Sequence, residues 1–251
     1  MSAVRFDYRG ERVVVTGAAG LIGRALVARF AGAGARVLAV DVDADGLKVH
    51  DGAPGVDVLA GDLAREDVAD AVFERLRAAG GGLDVLVNNA AMTELRTPFA
   101  DIEAGVWDAV VAANLRSVYL LSVRAVRYWR DAGRGGAIVS MSSPGGSRAH
   151  EDQSVYDVTK AGIEALSRAI AVELGGLGIR ANCIAPASVV GAVRPATDIP
   201  SGRTTSPEEV ADAALFLASP AAAQLNGHVL HLDGGLHARL RTDPSQEQLR
   251  D

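Results

Sequence analysis

Short apolar runs alternate along this chain with longer segments of helical period, and that alternation limits the fold more than any other feature. Residues 13–16, 37–40, 56–60, 85–87, 137–140, 179–184 and 228–232 read as strands. Residues 21–30, 68–79, 106–130, 155–174 and 207–218 read as helices between or beyond them. The strands are apolar at consecutive positions rather than at every second one. Both of their faces must therefore be covered, which a parallel sheet held between two helical layers achieves. A chain of 251 residues suits one such domain, and no composition shift marks a second. Ligands bind beyond the carboxyl ends of such strands, where the strand order reverses. The loops over 143–154 and 187–205 follow strands and should overhang that end, the second as a lid. A polar tail covers 237–251.

Charge and composition exclude several classes. With 25 basic and 31 acidic residues the net charge is −6, and no basic cluster supplies a nucleic-acid footprint. One cysteine, Cys183, allows neither a disulfide framework nor a Cys-based zinc site. The histidines at 50, 150, 228, 231 and 237 lack metal-ligand spacing, so no metal is expected. No apolar run reaches the roughly 18 residues of a membrane span, and residues 1–12 hold no signal-peptide core. A soluble, cytoplasmic chain without membrane partners is the expectation.

The first strand runs through Thr16-Gly17-Ala18-Ala19-Gly20-Leu21-Ile22-Gly23 into a helix. Glycines there permit a sharp turn and let backbone N–H groups meet a pyrophosphate at the helix N-terminus; a plain tight turn is the alternative. The second strand ends in Asp41, 24 residues after Gly17. A carboxylate at that point accepts ribose hydroxyls and repels a 2′-phosphate, and no Arg or Lys stands at 18, 19 or 42, so NAD is expected over NADP. Asp62 ends the third strand, as an adenine contact or a helix cap. Asn88-Asn89 ends the fourth, either tying strands together or lining a ligand.

Tyr156 and Lys160 are four apart at the start of a helix, on one face. A phenol titrates near 10 and serves proton transfer at neutral pH only where a cation stabilises its phenolate. Of the 25 basic residues only Lys48 and Lys160 are lysine, so Lys160 stands out against an arginine background. Ser142 and Ser143 follow the fifth strand and offer a hydroxyl to a carbonyl oxygen. Asn114 sits inside a helix, where asparagine is a poor former, holding a water, reshaping the helix or simply packing. His150, beside Arg148 and Glu151, is either a solvated loop residue or part of the cleft. No Gly-x-Ser-x-Gly elbow is present.

Thr16–Gly23, Asp62, Asn88-Asn89-Ala90, Asn114, Ser143, Tyr156-x-x-x-Lys160, Asn182 and Pro186 recur in the order and spacing of the short-chain dehydrogenase/reductase family, which the chain resembles from Gly10 to about Leu236. The resemblance implies a doubly wound Rossmann-type α/β domain with a parallel sheet of seven strands. It implies an NAD(H)-dependent oxidoreductase that interconverts a secondary alcohol and a ketone. Ser143 would position the substrate oxygen and Tyr156 would act as acid/base. Lys160 would lower the tyrosine's pKa and relay protons through a water held by Asn114. Cofactor contacts would come from Gly17, Gly20, Leu21, Ile22, Gly23, Asp41, Asp62, Leu63, Asn89, Ala90, Pro186 and Val189, together with Tyr156 and Lys160. Family members are usually dimers or tetramers through the two long helices, so a homodimer or homotetramer is expected.

The departures from the family pattern carry information. The central glycine is displaced to Gly20, a spacing shared with an epimerase-like branch, so an epimerase, dehydratase or lyase is one alternative and a non-catalytic dinucleotide sensor another. Gly191 stands where a threonine often holds the nicotinamide amide. Residues 187–199 are abbreviated where the family carries short helices, which predicts a more open cleft, or one completed by a neighbouring subunit. A polyol would use Thr93, Glu94, His150 and Glu151; a larger cyclic substrate would use the short lid.

Overall fold

A computed structural model describes residues 5–240, except 94, 95 and 192. The strands are β1 (Arg12–Thr16), β2 (Arg36–Asp41), β3 (Val56–Ala60), β4 (Val85–Asn88), β5 (Gly136–Met141), β6 (Ile179–Pro186) and β7 (Val229–Leu232). They form one sheet in the order β3-β2-β1-β4-β5-β6-β7, and every neighbouring pair is parallel. The order reverses between β1 and β4, so the switch point lies at the ends of these two strands.

Strand period explains why consecutive residues are all apolar. Val13, Val15, Val37, Ala39, Val85 and Val87 point into one layer, against Leu26, Val27 and Phe30 of α1 (Leu21–Gly32) and Val210, Ala214 and Leu217 of α6 (Pro207–Ala218). Val14, Leu38, Val40, Leu86 and Ile138 point the other way. They meet Val72, Phe73 and Leu76 of α2 (Glu66–Ala78), Leu121 and Trp129 of a long helix, and Ile170 of α5 (Ser154–Leu174). Each fully buried side chain of this size contributes roughly 1.5–3 kcal/mol. β5 begins at Gly136, where a Cβ would collide with the indole of Trp129, so only glycine fits there.

The helix expected over 106–130 is the main correction to the sequence reading. It is α3 (Ala104–Val111), a π-helical turn (Ala112–Arg116) and α4 (Ser117–Asp131) in unbroken succession. One extra residue enters the turn, and Asn114 sits at its centre, fully buried. The helix over Ala104–Asp131 has 28 residues, and an 18-residue stretch of it has a mean hydropathy of 1.3, by length and composition alone enough to cross a membrane. It contains no unbroken apolar run of that length, since Arg116 and Arg124 interrupt it while the average over the stretch stays high. In the fold its apolar face, with Leu120, Leu121, Ala125 and Trp129, packs on the sheet.

Among its described residues the segment over 187–205 forms no helix. It folds on itself through Val189 paired with Thr205 and Pro195 with Arg203, and the Ser201 N–H donates to the Gly234 carbonyl. Ile199 is buried under it.

Candidate active site

Beyond the ends of β1, β2, β4, β5 and β6 lies a cleft of about 1010 Å3, open to solvent. Its floor at the switch point is the glycine turn. Gly17 has φ of +64°, and a Cβ there would press on the Cα of Ala90 and the side-chain amide of Asn89, so the turn cannot carry a side chain. A Cβ on Gly23 would collide with the Gly17 carbonyl, which lets α1 start directly against the turn. Gly20 caps α1 in an extended conformation with no side-chain partner, and the first turn holds no acid. The free N–H groups of that helix end therefore face the cleft where Gly20, Leu21 and Ile22 line it. This cradle fits a pyrophosphate.

Asp41 also lines the cleft. One of its oxygens accepts from the Ala19 N–H at 2.9 Å and the other from the Asp43 N–H at 3.0 Å. Asp43, which the sequence reading passed over, adds a second carboxylate to the same wall. The guanidinium of Arg24 is held by the Ala19 carbonyl at 2.7 Å and is not part of the lining. Asn89 both ties strands and faces the cleft: its amide donates to the Thr16 and Gly17 carbonyls at 2.9 and 3.1 Å. Asn88 lies behind it, donating to Ser122 and Ser140.

On the opposite wall α5 presents Tyr156 and Lys160, and β5 leads to Ser143. Lys160 is 2% exposed. Its Nζ donates to the Met141 carbonyl at 2.7 Å and stands 5.3 Å from the centroid of the Tyr156 ring. Burial pushes its pKa down to about 8, so the ammonium stays charged at neutral pH but is poised to release a proton. Burial raises the Tyr156 phenol above its ordinary value, while the Ser143 hydroxyl beside it pulls the other way. Asn114 lies behind this pair. Its Oδ1 accepts from the Met92 N–H at 2.7 Å, and its Nδ2 donates to the Met92 carbonyl and the Thr159 hydroxyl at 3.1 and 3.3 Å.

A family model described as enoyl-(acyl carrier protein) reductase matches residues 17–237. The chain is 37% identical over 251 residues to a D-threitol dehydrogenase of Mycolicibacterium smegmatis, covering 93% of this chain and 96% of that protein. It is 33% identical over 248 residues to 3beta-hydroxysteroid dehydrogenase 2 of Eggerthella lenta, covering 91% and 95%. The crystal structure of a 3-ketoacyl-(acyl-carrier-protein) reductase from Brucella melitensis complexed with NADH superposes with a TM-score of 0.86 at 28% identity, over 92% of this chain and all of that one. The chain is a short-chain dehydrogenase/reductase. It is an oxidoreductase of that family, which interconverts alcohols and ketones with a nicotinamide dinucleotide, and the epimerase, lyase and sensor alternatives are not favoured.

Not every position expected to touch cofactor in this short-chain dehydrogenase/reductase lies on the cleft wall. Gly17, Gly20, Leu21, Ile22, Asp41, Asn89, Tyr156, Lys160, Pro186 and Val189 do. Gly23 sits beneath the turn, and at the Ala90 step it is Ala91 that reaches the lining. Asp62 accepts from the Ala64 N–H at 2.9 Å, a local turn, and Leu63 is buried in the core beside α2. His150 lines the cleft and is also solvent-exposed, its side chain 40% accessible, and Thr93, Arg96, Gln153 and Asp198 join it. Arg96 pairs with Asp152, and Gln153 donates to the Thr93 carbonyl, so two loops are buttoned into one wall. Glu151 is not on that wall, and Glu94 lies outside the described residues. Among the described residues no group of three or more His, Cys, Asp and Glu side chains is placed to hold a metal.

Proposed function

We propose that this short-chain dehydrogenase/reductase prefers NAD(H) and interconverts a secondary alcohol and its ketone with Tyr156 as acid/base. The dinucleotide, when bound, supplies or takes up the hydride. The glycine cradle and the N-terminus of α1 would hold its pyrophosphate, Asp41 its adenosine ribose, and Lys160 with Pro186 and Val189 the nicotinamide half. Ser143 orients the substrate oxygen toward Tyr156. In reduction the Tyr156 hydroxyl donates its proton to that oxygen; in oxidation the phenolate accepts it. The buried ammonium of Lys160 makes this possible near neutral pH. A unit charge 5.3 Å from the ring centroid, in a medium of effective dielectric about 20, favours the phenolate by about 3 kcal/mol, or about 2 pKa units, and so opposes the rise that burial imposes on the phenol. Asn114, behind the pair, would hold the water through which Lys160 recovers its proton.

The observation that carries the reading is the Tyr156–Lys160 pair, with the only buried lysine of the described residues turned to the same cleft as the glycine cradle. The test is absorbance at 340 nm over a panel of alcohols and ketones with each dinucleotide. Tyr156→Phe should lower turnover by about 10²–10⁴-fold while NAD still raises the melting temperature. Substantial turnover by that variant would remove Tyr156 from its role.

The NAD preference rests on Asp41 and Asp43, which oppose a 2′-phosphate on one wall without a cation among the lining residues beside them. Asp41→Ala combined with Val42→Arg should shift the ratio of kcat/KM toward NADP by at least about tenfold, equivalent to about 1.4 kcal/mol. Wild-type protein that already favours NADP would sink this part. We also place the chain in the cytoplasm, as a homodimer or homotetramer joined through α4 and α5.

A further inference from the structure

His150 and Asp157 stand seven positions apart, yet the two form one polar unit, of which His150 lines the cleft. Asp157 directly follows Tyr156 on α5 and is 9% exposed. One carboxylate oxygen takes the His150 backbone N–H at 2.7 Å, and the other meets Nδ1 of the ring at 2.7 Å. A carboxylate only accepts, so Nδ1 carries a proton, and whenever the ring is neutral Nε2 keeps its lone pair. Nε2 has no partner among the described residues, while the imidazole stands edge-on to the Tyr156 ring with centroids 6.4 Å apart. The pair is built into the fold: a side chain at Gly145 would collide with Asp157 and press on the imidazole at 3.0 Å.

A carboxylate buried this far, with one imidazole as its ring partner and the free imidazole nitrogen lining a cleft beside a phenol, is a device for fixing an acceptor in space. The substrate oxygen served by Tyr156 does not need it. We infer that His150, held by Asp157, is a specificity-determining residue that accepts a hydrogen bond from a second hydroxyl of the substrate, on a carbon adjacent to the reacting one or one further along. The substrates are then vicinal diols and hydroxyketones rather than isolated alcohols. This rests on the assignment of Tyr156 above. Asp157 acts through His150 and is a positioning residue.

The test pairs molecules that differ by one hydroxyl: butane-2,3-diol against butan-2-ol, and cyclohexane-1,2-diol against cyclohexanol, with NAD and full-length protein. Wild type should favour each diol in kcat/KM by at least about 100-fold, since a site built around a hydroxyl rejects the analogue that lacks it. His150→Phe should erase that preference through KM of the diol and leave the simple alcohols within about threefold. Asp157→Asn, which keeps the shape but frees the ring to turn, should lie between, and Asp157→Glu should recover part of the loss. In parallel, the ring-nitrogen NMR signals of His150 should move on addition of diol and not of the simple alcohol. A diol preference that survives His150→Phe, or equal losses for both members of each pair, overturns the inference. Absence of turnover on every alcohol with the His150 shift intact would instead overturn the hydride assignment, and absence of both would overturn the two together.

Discussion

Lys160 shows how burial can be put to use at a single residue. An ammonium withdrawn from water and given one carbonyl partner holds its proton less firmly, and its pKa falls to about 8 from 10.5. Between those values the unfolded chain binds more protons than the folded one, so stability rises with pH across that window; below about 8 the full cost of the buried charge is present. Because the chain has only two lysines, the effect can be read directly. With lysine side chains isotopically labelled and Lys48→Arg removing the other signal, the remaining resonance should titrate with a midpoint of about 8 in protein without dinucleotide. A midpoint at the ordinary value would mean the side chain is hydrated. The rarity of lysine made this residue legible in the sequence. The His150–Asp157 contact was not, because it joins a loop to a helix start and follows no period.

At the scale of elements, legibility tracks how strictly a pattern dictates geometry. The strands were legible because burial on two faces demands consecutive apolar residues, as in Val13-Val14-Val15. The π turn at Ala112–Arg116 was not, since the apolar period runs through it and only Asn114 breaks it. The start of α6 lies between these cases. Ser206-Pro207-Glu208-Glu209 has the form of a capping box, and both of its reciprocal bonds are made: the Ser206 hydroxyl accepts from the Glu209 N–H, and the Glu209 carboxylate from the Ser206 N–H. Ser206→Ala should cost about 1 kcal/mol, seen as a fall in melting temperature of roughly 2–4 °C. Arg203 and this cap hold the Glu209 carboxyl at about 2, below its ordinary 4.5. Its contribution is present above 4.5 and lost as pH falls toward 2, so Glu209→Gln should flatten the acid limb of stability against pH; an unchanged limb would mean solvent screening has removed the effect.

The whole molecule leaves one helix half used. The inner face of α5 buries Ile163, Ser167 and Ile170. Its outer face exposes Val158, Ala161, Ala165, Ala169 and Val172 at spacings of three and four, with Val158 48% and Val172 86% exposed. A continuous apolar stripe of small residues on a solvent-facing helix lets a second helix approach closely, and Tyr119 on α4 is 51% exposed as well. The stripe supports the proposed assembly through α4 and α5, which would also fix α5 and with it Tyr156 and Lys160. Ala165→Arg sets a bulky charge in the middle of the contact. It should reduce the mass measured by light scattering from a multiple of the chain's mass to that of a single 25.9 kDa chain. Val49→Arg, at a 55% exposed position outside α4 and α5, should leave the assembly as it is. A wild-type protein that is already monomeric, or an Ala165→Arg variant of unchanged mass, would free α5 from any role in association and leave the rigidity of the catalytic pair to the sheet alone.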